Sequence, residues 1–587
     1  MKNPFAVRTP ESLQPKEVAD LFIDVFSDFP KIKDIGHTFI NGPRGSGKSM
    51  MLKYLEPAVQ LYAGKATSIE GLEFLAVHVP FKVAGIKITD LGKLEGDSNL
   101  YLSEHVMLMH ISSLLLKLLA NLFDEHNDKK SYICHFYNDI FVRLMSNAGV
   151  SIEEGRSQSF KTMAEICDEE RLRTINYLKR LAYSPDYIPY QGALCGYVDF
   201  FQPLAQAIKS LAFTPSGPIY LMLDDADNLS ERMQKILNTW VSCRTTQYLC
   251  LKISTQLRYK TYRTISGELI ESVHDYSEVD ISTLYTSQKD HYRKRIQDIV
   301  ERRLTLAGIK QNPEEYFPSE KSQDEAIEKI KYELKAKWES GDGKGYRASD
   351  DVIRYAIPEY MKRLVDKKSS ATYSYAGFRN LVDISSGVIR FFLEPASQMY
   401  SETKARQEVE SPVDYIPTSI QDKVLKNWSE EFIISEFEKL KRDEVSQNGE
   451  ELGAVSHLYC LINSLGSLFR NVLLSNGSQR RIFSIMVRGE MDDKLQRVFQ
   501  LGVEWGYFQR STAPSKDGYG REYRFVLSRR LAPYFKLDAS GYAGQLSVTT
   551  EHLKLACIDP EKFVKLRMGN IETGLEIGQA DLFNNIG

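Results

Sequence analysis

Short, mostly apolar runs alternate with helical stretches along the first half of the chain. Thr38–Asn41, Phe74–Val79, Ile219–Leu223 and Leu249–Ile253 are such runs, and Met50–Tyr62 has helical period. Strands buried on both faces of a parallel sheet carry this kind of apolar run, so the pattern predicts an α/β class. The interval from about 82 to 215 is mostly helical in period and reads as an insertion that decorates the sheet. From about 286 to 400 the pattern is helical, including Glu325–Trp338, rich in Lys and Glu, whose charges are expected to face water. Two prolines within Glu410–Pro417 mark a hinge or linker. Beyond it, a helix over Met491–Trp505 leads into a strand, a glycine-bearing turn and the strand Arg521–Leu527. The expected division is therefore a sheet domain over 1–285, a helical lid over 286–409, a third domain over 410–540 and a tail over 541–587. Leu553–Val564 in that tail has a weak helical pattern and no residue set that points to chemistry.

Composition narrows the class only a little. With 587 residues, 42% hydrophobic and 26% charged, the chain is too long for one core and too apolar for a disordered segment. A formal charge of -3 gives no whole-chain electrostatic argument. The longest apolar stretch, Val106–Phe123, is interrupted by His110 and Lys117 and reads as a buried helix, so no membrane partner is expected. The first ten residues carry no apolar core of leader length. Seven scattered cysteines without a C-x-x-C pair hold no zinc-finger spacing and look like reduced cytoplasmic thiols.

The chemistry begins at Gly42-Pro43-Arg44-Gly45-Ser46-Gly47-Lys48-Ser49, followed by Met50. This is G-x-x-x-x-G-K-[ST], placed between an apolar run and a helical stretch, the context a phosphate-binding loop requires. Its glycines let backbone N–H groups converge on phosphate oxygens at the start of a helix. Lys48 is expected to reach the β and γ phosphates and Ser49 to ligate Mg2+. Such a site also needs a carboxylate at the end of another core strand. Ile219-Tyr-Leu-Met-Leu-Asp224-Asp225 offers two: Asp224 for the metal and Asp225 to orient or polarise the attacking water. The alternative is an N-cap pair ahead of the helix that starts near Ser230. Guanine recognition is disfavoured, because the chain has no N-K-x-D segment.

These two motifs, their spacing and the segments after them resemble the AAA+ ATPases, and within them the origin-recognition-like branch of replication initiators and their bacterial relatives. The resemblance covers roughly residues 3 to 400 and implies ATP and Mg2+ as cofactors. It also implies a polar γ-phosphate sensor ending the strand Leu249–Gln256, with Ser254 or Thr255 as candidates. In the lid it implies an arginine that contacts the γ-phosphate, and Arg390 in Ile384-Ser-Ser-Gly-Val-Ile-Arg390 is the match; a helix-surface arginine is the competing reading. An arginine finger from a neighbouring subunit, hence a homo-oligomer, is implied too, with Arg244, Arg258 and Arg263 as unranked candidates. Asp225 departs from the family, which usually has glutamate there, and the shorter side chain implies slow hydrolysis.

Between Arg480 and Lys536 there are twelve Lys/Arg against six Asp/Glu in a chain that is otherwise acidic. Helix, then hairpin with a basic tip, resembles the winged helix that this family carries after its lid. Lys494, Arg497, Arg510, Lys516 and Arg521 are the expected nucleic-acid contacts. The charges equally suit a solvated surface, and many winged helices bind protein. Two functions stay open: an ATPase of a bacterial DNA transaction or mobile element, or a nucleotide switch in an antiviral defence or signalling complex that recruits an effector protein.

Overall fold

A computed structural model places the apolar runs side by side in one parallel sheet. It describes residues 3–23, 29–82, 97–183, 189–243, 245–256, 259–281, 289–342, 347–366, 372–407, 412–448, 453–477, 480–514, 521–540 and 544–572. The strands are β1 (Thr38–Asn41), β2 (Leu75–Pro80), β3 (Ile219–Asp224), β4 (Leu249–Thr255) and β5 (Ser277–Asp280), in the order β2-β3-β4-β1-β5. Every pairing is parallel. All residues of β1, β3 and β4 are buried, which is why their sequences lack alternation. β5 lies at the edge, with two exposed residues in a polar sequence, and has no counterpart among the apolar runs.

Between β2 and β3 the chain makes the helical insertion. Its main helices are Asp97–Phe123 and Phe160–Tyr183, packed against each other. Met107, Ile111, Leu115 and Phe123 join Phe39, Leu221 and Ile253 of the strands in one core. Ser98–Phe123 is long and apolar enough to cross a membrane by composition, but its apolar residues are largely buried in that core. All seven cysteines are free thiols.

One residue in the middle of β4 breaks the apolar rule. Lys252 is buried, and its Nζ donates to the carbonyls of Asp34 at 2.6 Å and Gly36 at 2.9 Å and to Thr38 Oγ1 at 3.0 Å. It thereby fastens the segment entering β1. Burial, the largest influence, lowers its pKa from 10.5 to about 8. Between those values the unfolded chain binds the proton that the folded chain releases, so stability rises with pH through this window. The thermal midpoint of the wild type should rise relative to that of Lys252→Met between pH 7.5 and 9.5, an effect of roughly 2 kcal/mol. Parallel curves for the two proteins would refute this.

The chain folds as two compact units, Arg8–Ile281 and the remainder, which takes in the residues before Arg8. In the second unit Phe5 packs against Tyr316 and Phe317, with ring centroids 5.8 and 5.4 Å away. Its helices include Lys321–Lys337, Ala348–Asp366, Phe378–Ile384, Ile389–Ala405, Thr418–Ile433, Gly453–Leu474 and Asp493–Glu504. Its sheet has the order β7-β8-β6-β9, with β6 (Ile482–Arg488), β7 (Phe508–Pro514), β8 (Arg521–Leu527) and β9 (Gly544–Thr549). β7 and β8 form an antiparallel hairpin, β8 pairs antiparallel with β6, and β9 pairs parallel with β6. The stretch that reads as a tail thus supplies a sheet strand, followed by the helices Thr550–Ile558 and Pro560–Glu572, which pack on Gly453–Leu474.

Candidate nucleotide site

The P-loop joins β1 to the helix Lys48–Tyr54. Gly45 and Gly47 have φ of 88° and 100°, a left-handed backbone that side chains disfavour. At Gly42 a Cβ would sit 3.1 Å from Ser46 Oγ and 3.2 Å from Ile281 Cβ, so the loop is closed to larger residues there. Lys48 is buried and its Nζ donates to the carbonyls of Gly42 at 2.7 Å and Pro43 at 3.1 Å. Ser46 Oγ is buried and has no hydrogen-bond partner among the described residues. Pro43, Ser49 and Met50 are partly buried and Arg44 is exposed. A buried ammonium, an unsatisfied hydroxyl and left-handed glycines in one loop suit a polyphosphate.

Strand parity decides what else reaches the loop. In a parallel sheet, residues in register point to the same face. Lys252 is in register with Met222 and Thr38, which puts Ser254, Asp224 and Ile40 on one face. Thr255 and Asn41 fall on the other. Ser254 Oγ accordingly donates to Asp224 Oδ1, and the Asp225 N–H donates to Ser254 Oγ at 2.9 Å. Thr255 Oγ1 donates to Asn41 Oδ1 at 2.6 Å, away from the acidic pair. Ser254 and Thr255 are interchangeable in the sequence, yet only the first touches Asp224.

Asp224 is the centre of the arrangement. Its Oδ2 lies 3.1 Å from Nε2 of His78 on the neighbouring strand β2, and Ser49 also hydrogen-bonds to the carboxylate. Burial pushes this carboxyl up, and the bonds from His78, Ser254 and Ser49 outweigh burial and hold its pKa down at about 2. The group is therefore an anion throughout the physiological range. Ser49 and Asp224, hydroxyl and ionised carboxylate in contact beside a phosphate loop, are the oxygen donors that Mg2+ prefers.

Asp225 follows in a left-handed conformation, φ 57° and ψ 46°. Its Oδ1 accepts from Gln256 Nε2 at 2.6 Å, and the Gln256 N–H donates to Asp227. His78 and Gln256 are absent from the residues expected on sequence grounds. The one signal for His78 is a polar residue inside an apolar run, and Gln256 sits one position past the sensor pair.

The other candidates are scattered. Arg390 belongs to the second unit, near the start of helix Ile389–Ala405, with Nε 3.9 Å from Glu394. The turn before that helix holds Ser386 at φ 52°, where its Oγ accepts from the Arg529 N–H at 2.8 Å and its carbonyl accepts from Gln509 Nε2 at 2.6 Å. Arg263 is exposed and donates to the Gly267 carbonyl at 2.8 Å. Arg244, Arg258, Lys516 and the side chain of Arg521 lie outside the described residues.

Lys494 and Arg497 are exposed on helix Asp493–Glu504, and Arg497 pairs with Glu504 at 3.5 Å. Arg510 on β7 is exposed, its guanidinium 5.7 Å from the Tyr523 ring centroid. Four other arginines of this basic stretch are committed internally. Arg480 donates to the Leu473 carbonyl, Arg481 pairs with Asp538 at 2.6 Å and Arg529 donates to the Ala539 carbonyl. Arg530 lies between Trp428 and Phe432, 3.9 and 4.0 Å from their ring centroids. The basic excess visible in the sequence is thus partly a set of packing contacts.

A five-stranded parallel sheet with a phosphate loop after β1 and an acidic pair at the end of β3, with β4 between the two strands, defines a P-loop ATPase of the AAA+ class. The family model described as ORC-CDC6-like matches residues 3–548, and the chain belongs to that family. No curated protein matches it.

Proposed function

We propose that this chain binds and hydrolyses ATP with Mg2+, assembles with copies of itself in the cytoplasm and engages DNA through its C-terminal helix and hairpin. The contact between the Ser49 hydroxyl and the ionised Asp224 carboxylate carries the ATPase part. In this reading Lys48 turns from the loop carbonyls to the β and γ phosphates, and the N–H groups of residues 45–50 receive the phosphate oxygens. Ser49 and Asp224 would hold the metal, which would supply positive charge to offset that of the phosphates. Asp225 accepts a hydrogen bond from the attacking water, Ser254 holds Asp224 and the Asp225 backbone in place, and Arg390 is the candidate γ-phosphate arginine of the lid. The arginine finger comes from a neighbouring copy, with Arg263 the candidate among the described residues.

For DNA, the supporting feature is that Lys494, Arg497 and Arg510 are exposed on two successive elements that fit a winged helix. Three to five phosphate contacts imply that raising salt fourfold weakens duplex binding roughly fifty- to five-hundred-fold. Fluorescence anisotropy with a labelled duplex should give this slope, and Lys494→Ala/Arg497→Ala/Arg510→Ala should flatten it. The second reading, a nucleotide switch that recruits an effector protein in a defence or signalling complex, is favoured by the burial of Arg480, Arg529 and Arg530 and the pairing of Arg481 with Asp538. An absence of DNA binding below micromolar concentration at moderate salt, with ATP turnover indifferent to DNA, would decide for the switch.

A further inference from the structure

Beside the P-loop, three side chains from three separate segments converge. The ligating atoms of Glu11, His78 and Asp224 all lie within 4.8 Å of one another. Glu11 sits on the single turn Pro10–Ser12, which packs against the P-loop helix Lys48–Tyr54. His78 and Asp224 stand on the adjacent strands β2 and β3. Both are buried, whereas Glu11 is exposed.

The spacing of the buried pair fits a bound ion as well as a hydrogen bond. Two ligands about 2.0–2.1 Å from a tetrahedral ion stand about 3.3 Å apart. His78 Nε2 and Asp224 Oδ2 are 3.1 Å apart already, so neither buried side chain has to move far. Glu11, the surface member, is the one with room to adjust. One imidazole nitrogen and two carboxylate oxygens, with a fourth position left for water, are donors that Zn2+ accepts. Mg2+ takes six oxygens and has little use for an imidazole.

We infer that Glu11, His78 and Asp224 form a cation site of the zinc class, distinct from the nucleotide's Mg2+ but sharing Asp224 with it. Binding at this site does not depend on the nucleotide reading. Its consequence does rest on that reading: a carboxylate committed to an ion between His78 and Glu11 is withdrawn from Ser49, so the metal opposes Mg2+ and ATP.

Titration calorimetry on the full-length protein without nucleotide tests the site, with Cys243, an exposed thiol, replaced by serine throughout. One Zn2+ per chain should bind at micromolar or tighter affinity, and Mg2+ should give no heat in that range. Glu11→Gln, a surface change, and His78→Ala should each weaken Zn2+ at least tenfold, with circular dichroism confirming the fold. Co2+ in place of Zn2+ should show the visible absorption of a four-coordinate ion and lose it in Glu11→Gln. Lys48→Ala should keep the Zn2+ heat and lose the ATP heat, which separates the two readings. Zn2+ should inhibit ATP turnover in the wild type at lower concentration than in Glu11→Gln. Absence of Zn2+ heat in the wild type, or equal heat in Glu11→Gln, would overturn the proposal.

Discussion

Lys48→Ala should weaken ATP binding by about a hundredfold or more in titration calorimetry. Hydrogen bonds to charged groups contribute about 1.5–3 kcal/mol each, and two to the phosphates together correspond to roughly 10²–10⁴ in affinity. The same substitution removes the donor that now serves the carbonyls of Gly42 and Pro43. Some loss of order in the loop is therefore expected with it. Far-UV dichroism should be unchanged, because the sheet itself is held by its ladders and by Lys252. An affinity for ATP equal to that of the wild type would mean that the loop does not hold the phosphates.

Asp225→Asn should separate chemistry from binding. Turnover should fall about 10²–10⁴-fold, the contribution typical of a positioned base, while ATP affinity stays within about threefold. The exchange is close to neutral for the fold for two reasons. Asparagine tolerates the left-handed backbone at this position, and an amide oxygen still accepts from Gln256 Nε2. Single-turnover hydrolysis beside a binding isotherm reads both quantities. Equal losses in both would reassign Asp225 to holding the turn after β3.

How much of the site is legible in the sequence depends on how local each signal is. The P-loop is contiguous, its glycines are fixed by backbone conformation and its lysine and serine by chemistry, so eight residues suffice. The acidic pair is nearly as plain, because an apolar strand ending in two carboxylates is uncommon without a reason. The partners of that pair are not contiguous with it. Ser254 and Thr255 differ only in which sheet face they meet, and that depends on the register between β4 and β3, which no single strand contains. His78 is hidden because one imidazole in an apolar run reads as a filled core position. Lys252 is hidden because the carbonyls and the hydroxyl that satisfy it belong to another segment of the chain. Arg480, Arg481, Arg529 and Arg530 look like a nucleic-acid surface for the opposite reason: charge in a sequence carries no mark of burial. β9 is illegible because Gly544-Gln-Leu-Ser-Val-Thr is short and only half apolar, and its place is fixed by β6 far upstream.

The turn at Ser386 ties two distant stretches of the second unit together. A serine held at positive φ, clamped through its hydroxyl by the Arg529 amide and through its carbonyl by Gln509, leaves little slack between the hairpin strand β7 and the helix that bears Arg390. Ser386 is thereby a shared support: whatever displaces that turn disturbs the backbone amide of Arg529 and the side chain of Gln509 together.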